Sequence, residues 1–128
     1  MFIRPTIREA PTTERDVFAF HIIGEVTADD MSAMADYMNT QFDKHDTVSM
    51  LLMFDIYDGA ERGASFDWET LKSRVRALGK VRRYAVVGGS DAAKQAVEWS
   101  GKMLPVDARS FDAANEDAAW AFLGAQRA

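Results

Sequence analysis

One stretch, residues 48–56 (VSMLLMFDI), restricts the fold of this chain more than any other segment does. Every even-numbered position in it is apolar, whereas the odd-numbered positions are mixed. Because side chains alternate between the two faces of a β-strand, this pattern predicts a strand with one fully buried face and one partly buried face. Such a strand belongs in the middle of a sheet. The polar, glycine-containing sequence that follows predicts a loop at its carboxyl end.

Length and composition predict one soluble domain that spans residues 1–128. Hydrophobic residues make up 48% of the 128 residues, which is enough for a core without disulfide bonds or metals. The absence of cysteine excludes a disulfide framework, thiolate metal ligands and cysteine nucleophiles. Charged residues and a proline interrupt the N-terminal apolar residues, so neither an export signal nor a membrane span is expected. We therefore expect a cytoplasmic protein.

The charge balance argues against nucleic acid as a partner. The formal net charge is −5 at pH 7, whereas binding to a phosphate backbone requires clustered lysine and arginine. The one basic cluster runs along and just beyond a predicted helix and is interpreted as the solvated face of that helix rather than as an anion-binding patch. Its members are Lys72, Arg74, Arg76, Lys80, Arg82 and Arg83.

Four further segments predict strands, so the expected sheet has five. Residues 2–8 and 17–23 predict an antiparallel hairpin, in which Pro5 confines the first strand to the sheet edge. Residues 83–88 predict a short strand that is covered on both faces, and residues 106–111 predict a last, weaker strand. The fold class is therefore α/β, with a mixed sheet in which all strands after the hairpin are parallel.

Helical patterns fill the connections, and about four helices are expected. The first runs from Thr27 to about residue 44, and Thr27 with Asp30 resembles a capping box. The second and third are predicted at residues 67–79 and 91–100, and the fourth follows Asp112. The tail at residues 124–128 is expected to fray. Successive right-handed crossovers place their helices on one side of the sheet, so the other face is expected to be incompletely covered.

The sequence contains no recognisable catalytic or metal-binding motif. The two histidines, His21 and His45, occur singly and without the spacing of metal ligands or of a general base. Asp55, Asp58 and Glu61 follow the central strand, where open α/β sheets hold ligands, but loop solubility and turn formation at Asp58-Gly59 explain them more simply. We therefore predict no catalytic residues, no metal and no cofactor.

A methionine-rich surface is the strongest candidate for binding. Three of the seven methionines lie on the first predicted helix, and Met50 and Met53 lie on the central strand. Thioether side chains adapt readily to different partners, so these residues are candidates for an apolar pocket; the alternative is that they form ordinary core. The predicted ligand-binding residues, on the less covered face and the adjoining loop, are Met50, Met53, Tyr57, Phe66 and Trp68.

Three segments together resemble the SpoIIAA-like proteins of the STAS superfamily. Residues 24–30 (GEVTADD) are similar to the G-x-V-T-x-x-D segment of that family, and residues 83–87 (RYAVV) to its R-x-A-V-V strand. Residues 109–111 (RSF), followed by 118–120 (AAW), are similar to its late R-x-F…A-x-x-W-L signature, although Ala121-Phe122 follows the tryptophan here.

The resemblance implies a βα superhelix related to anti-sigma-factor antagonists and, more distantly, to lipid-binding domains of the CRAL-TRIO type. In the antagonists a serine at the start of the helix after the central strand is phosphorylated and gates partner binding. Ser65 stands at about that position, flanked by Ala64 and Phe66 instead of the family's usual residues.

Two functions therefore remain open. The first is a non-enzymatic module that binds an apolar, lipid-like molecule or a membrane surface. The alternative is a phosphorylation-regulated module that binds a protein partner through Ser65 and the neighbouring helix. A homodimer is compatible with either function.

Overall fold

The computed structural model describes residues 1–23, 26–54, 80–88 and 107–128. These residues form five strands, two α-helices and one short 3-10 helix, Ala113–Asn115. The strands are β1 (Ile7–Ala10), β2 (Val17–Ile22), β3 (Val48–Phe54), β4 (Val81–Val87) and β5 (Asp107–Phe111), and the helices are α1 (Ala28–Lys44) and α2 (Glu116–Leu123). The predicted helices at 67–79 and 91–100 lie outside the described residues.

The sheet is mixed and follows chain order. Its strand order is β1-β2-β3-β4-β5, with β1 antiparallel to β2 and every later pair parallel. The predicted sheet is thereby confirmed, including the central place of β3. All seven residues of β3 are buried, because this strand has a neighbour on each side and packed side chains on both faces.

The first strand begins later than predicted. Residues 2–4 do not continue β1 but fold back along it, since the Glu9 amide donates to the Phe2 carbonyl at 2.8 Å. The Arg4 amide likewise donates to the Ile7 carbonyl at 2.8 Å, which closes a tight turn around Pro5. Proline favours such a turn because its φ angle is fixed and it lacks an amide proton.

Helix α1 covers one face of the sheet, as its apolar stripe predicts. The Thr27 hydroxyl accepts a hydrogen bond from the Asp30 amide at 3.2 Å, so Thr27 is the N-cap. Five apolar residues of the helix recur at helical spacing and are buried against mostly even-numbered residues of the strands. The helix contributes Met31, Met34, Ala35, Met38 and Phe42, and the strands contribute Phe18, Phe20, Ile22, Met50, Leu52 and Phe54.

Helix α2 covers the opposite face, and here the expected one-sided arrangement is wrong. Ala119, Trp120 and Leu123 of α2 are buried against odd-numbered strand residues, which belong to a second core. The rule for right-handed crossovers applies to helices that join two parallel strands. Because α2 follows the last strand and joins it to no further one, it is free to pack on the other face. The strand residues in contact are Val17, Ala19, Leu51, Met53, Ala85 and Val87.

The last residues are paired with the β1–β2 turn, so the expected fraying is also wrong. After Gly124, which ends α2 in the left-handed region with φ 72°, the chain runs antiparallel to residues 11–13. The Thr13 amide donates to the Gln126 carbonyl at 2.9 Å, and the Ala128 amide donates to the Pro11 carbonyl at 3.1 Å. Ala125 is buried in the second core.

Candidate functional site

The two predicted ligand-binding methionines lie on opposite faces of the sheet. Met50 is 6% exposed and packs in the core under α1, whereas Met53 is 2% exposed and packs in the core under α2. They are three residues apart on one strand, so their side chains point in opposite directions. The structure therefore does not bring them together to line one pocket.

The other predicted site residues lie outside the part of the chain that the structure describes. These are Tyr57, Phe66 and Trp68 of the ligand-binding set, Ser65 as the phosphorylation site, and the acidic residues Asp55, Asp58 and Glu61. The phosphorylation-regulated function thus remains a prediction from the family resemblance.

The described residues form a half-open groove between α2 and the C-terminal tail. We call it the α2 groove, and its volume is about 440 Å³. Its floor is apolar and its rim is charged: Trp120 is 5% exposed, while Arg127 is more than half exposed. The lining residues are Glu116, Asp117, Trp120, Ala121, Ala125, Gln126 and Arg127.

Three residues that line this groove form a cluster with Met53. Glu116 and Trp120 are one turn apart on α2, and the Trp120 indole Nε1 donates to Glu116 Oε2 at 3.2 Å. Arg127 forms an ion pair with the same carboxylate oxygen. Its guanidinium carbon also lies 6.0 Å from the centre of the Trp120 ring, at the outer range of a cation–π contact. One Arg127 nitrogen lies 3.9 Å from the Met53 sulfur.

One contact links the rim of the groove to the carboxyl end of the central strand. Met53 is the last residue but one of β3, so the Arg127 side chain reaches the carboxyl end of the central strand. In open parallel sheets, ligands commonly bind beyond the carboxyl ends of the strands. Met53 therefore lies next to the Arg127 side chain at the groove rim, on the sheet face that α2 covers.

A second cluster lies at the other end of α2 and contains two arginines on one aromatic ring. Arg83 and Arg109 have their guanidinium carbons 5.8 and 4.7 Å from the centre of the Phe122 ring. Arg83 also donates to the Phe122 carbonyl at 3.0 Å, near the end of the helix where positive charge is stabilised. Arg109 lies 3.5 Å from a carboxylate oxygen of the exposed Asp107. We interpret this cluster as an anchor for α2 on β4 and β5.

The described groups with shifted pKa values lie in the N-terminal segment or in the core under α1. Burial alone would raise the pKa of Asp30, but hydrogen bonds from Thr6 and Arg4 outweigh burial and lower it. Burial, together with a 2.6 Å hydrogen bond to Glu9, raises the pKa of Tyr37 far above its usual range. Burial also raises the pKa of Tyr84. These groups hold structure together rather than line the α2 groove.

Neither a metal-binding group nor a membrane-spanning helix is found among the described residues. No group of three or more histidine, aspartate or glutamate side chains in residues 1–23, 26–54, 80–88 and 107–128 is arranged to hold a metal ion. In the same ranges, no helix has the length and hydrophobicity needed to span a membrane. His45, one of the two histidines in the sequence, follows α1 and has its ring 5.7 Å from that of Phe18.

A five-stranded mixed sheet in chain order, with an antiparallel hairpin at one edge and helices against its faces, defines an α/β domain of the STAS type. The chain belongs to the SpoIIAA-like family, whose family model matches residues 17–124. The predicted family is thereby confirmed.

A solved structure shares the fold over nearly the full length of both chains. It is the crystal structure of an uncharacterized protein of the DUF3478 family from Shewanella loihica PV-4, which is described as having a SpoIIAA-like fold. The TM-score is 0.62 with 17% sequence identity, and the alignment covers 96% of this chain and 98% of the other. At this identity the likeness establishes the fold alone. None of the curated proteins compared with this chain matches it.

The sequence interpretation missed most of the α2 groove. Trp120 is buried against the sheet and also lines the groove. Arg127 was assigned to a frayed tail and carried no role. Ala125 and Arg127 are two residues apart, so in an extended segment their side chains lie on the same side. This spacing could have indicated a paired tail, but two positions are too few to predict a strand.

Proposed function

We propose that this protein is a non-enzymatic binding module that holds a small apolar, lipid-like ligand in the α2 groove. Domains of the STAS type typically act by binding rather than by catalysis, and the family assignment supports a binding or regulatory role in general. The observation that carries the finer proposal is the groove itself, with an apolar floor and a charged rim at the carboxyl end of β3. Sites for small molecules usually combine these two features.

The groove has the chemistry of an amphipathic ligand site. Trp120, Ala121 and Ala125 offer apolar surface to a hydrocarbon chain. Glu116 and Arg127 at the rim offer hydrogen bonds to a polar head group, although they are already paired with each other. The predicted ligand-binding residues Tyr57, Phe66 and Trp68 lie outside the described residues and stay predictions from the sequence.

Binding is tested with two substitutions of the same kind on one helix. Ala121 and Ala118 are both exposed on α2, but only Ala121 lines the groove. Ala121→Trp is therefore expected to fill the groove, whereas Ala118→Trp adds the same ring outside it. Each variant is titrated with lauric acid and with dodecanol, and binding is followed by native mass spectrometry.

The proposal predicts that the wild-type protein and Ala118→Trp bind these probes and that Ala121→Trp loses at least about 90% of the binding, the equivalent of about 1.4 kcal/mol. Equal binding by the two variants, or none by the wild type, would refute it. Sedimentation with phosphatidylcholine vesicles is measured in parallel. Vesicle binding that is unaffected by Ala121→Trp would favour a membrane surface over a bound ligand and would count against the groove.

A further inference from the structure

The C-terminal tail is held as a bound peptide would be held. It pairs as an extended strand with the β1–β2 turn through three backbone-mediated contacts: Thr13 amide to Gln126 carbonyl, Gln126 amide to Thr13 hydroxyl at 3.0 Å, and Ala128 amide to Pro11 carbonyl. Ala125 fills a buried position, and two residues later Arg127 reaches Glu116. Backbone pairing combined with pockets for alternate side chains is the mode by which many domains bind extended peptides.

The pocket that receives Arg127 recognises a guanidinium group. The carboxylate of Glu116 supplies the counter-charge, and the indole of Trp120 supplies an aromatic surface and orients that carboxylate through its own hydrogen bond. The polarizable sulfur of Met53 lies 3.9 Å from the same guanidinium nitrogen that pairs with Glu116. Asp117 at the rim adds negative charge, as does the net charge of the whole chain. Each of these features favours a basic occupant.

We propose that the surface formed by Pro11–Thr13, Met53, Glu116 and Trp120 is a docking site for an extended segment of a partner protein, and that residues 125–128 occupy it in cis. The recognised segment carries arginine two residues after a small apolar residue. This inference goes beyond the proposed function, because it concerns a protein partner and does not require the apolar ligand.

The cis tail has the properties of a competitor. It is attached through Gly124, so its effective concentration at the site is on the order of millimolar, as for other short linkers. Arg127 is more than half exposed, and an ion pair at this exposure contributes little to stability, so a partner segment with additional contacts can replace it. Weakening the tail should therefore raise the apparent affinity for a peptide in trans.

The test uses the full chain with Arg127→Gln and two acetylated, amidated pentapeptides. The first has the sequence of residues 124–128, GAQRA, and the second has citrulline, which is neutral and nearly isosteric, in place of arginine. The readout is the indole N–H signal of Trp120 in nitrogen–proton correlation spectra, assigned by its loss in Trp120→Phe. This signal reports directly on the pocket because the indole donates to Glu116.

The proposal predicts that the arginine peptide shifts the Trp120 signal of Arg127→Gln at concentrations at least about tenfold lower than those needed with wild type. The citrulline peptide should have no effect, and adding Glu116→Gln to Arg127→Gln should abolish the response to arginine. Equal responses to both peptides, or no response of Arg127→Gln, would overturn the proposal. If Arg127→Gln does not fold, Arg127→Met, which is also uncharged, replaces it, and a tenfold gain is again required. None of these results depends on binding of lauric acid or dodecanol, so failure here is distinct from failure of the proposed function.

Discussion

The carboxylate of Asp30 accepts two hydrogen bonds from Thr6, one from the backbone amide at 3.0 Å and one from the hydroxyl at 2.6 Å. A third donor, Arg4 Nε, reaches the other carboxylate oxygen at 2.8 Å. Asp30 is 2% exposed, so these bonds replace water almost completely. They attach the segment before β1 to the first turn of α1, where the helix dipole also favours a negative charge.

Replacing this carboxylate should destabilise the protein. Asp30→Asn keeps the shape of the side chain but removes the charge, and we expect it to lower the free energy of unfolding by about 2 kcal/mol. The measurement is urea denaturation followed by circular dichroism. Asp29→Asn is the matched control, since Asp29 lies in the same helical turn and is exposed. A change of more than about 1 kcal/mol in the control, or none in Asp30→Asn, would contradict the assigned role.

The same carboxylate should make stability depend on pH. Because its pKa is lowered in the folded state from the ordinary value of 3.8, the stabilisation is complete above that value and is lost as the pH falls through the folded pKa. The difference in unfolding free energy between wild type and Asp30→Asn should therefore be constant near neutral pH and shrink below pH 3.8. A difference that grows as the pH falls would mean that the pKa is raised instead.

The pairing of the tail with the β1–β2 turn should be detectable by hydrogen exchange. The Thr13 hydroxyl accepts the Gln126 amide, so Thr13→Val removes this acceptor without changing the size of the side chain much. Loss of about 1 kcal/mol of local stability should speed exchange of the Gln126 amide about fivefold. Thr40→Val, on the exposed side of α1, is the control and should leave that amide unchanged.

Gly124 sets the direction in which the tail leaves α2. Its φ of 72° is in the left-handed region, and a Cβ there would meet no atom within 4 Å. Backbone strain is then the whole cost of Gly124→Ala, which we expect to be about 1 kcal/mol by thermal denaturation. Gly124→Asn should cost less because asparagine tolerates this conformation. Equal stability of glycine and alanine at this position would contradict the assigned conformation.

Local patterns in the sequence predicted the sheet and the first core, because periods of two and of 3.6 residues depend on neighbouring positions only. They failed where distant residues meet. Asp30 was assigned to a capping box, yet its carboxylate bonds Thr6, 24 residues earlier in the chain. The tail was expected to fray, although its partner Thr13 lies 113 residues before Gln126.

The two predicted binding residues of the central strand lie on different faces of the sheet. Met53 lies on the face opposite α1, and its role in binding stays a prediction. Met50 was assigned to the same pocket although strand alternation places it on the α1 side. The side of the sheet that α2 covers could not be derived, because no crossover constrains a helix after the last strand.

The most informative experiment on ligand binding in the α2 groove is to locate the ligand. Intermolecular nuclear Overhauser effects between lauric acid and the isotope-labelled protein give its position. A ligand in the α2 groove should give contacts from the acyl chain to the Trp120 ring and to the Ala121 and Ala125 methyl groups, which line the groove. Contacts only to residues packed under α1, such as Met34 and Met50, or no contacts at saturating probe, would contradict binding in the α2 groove.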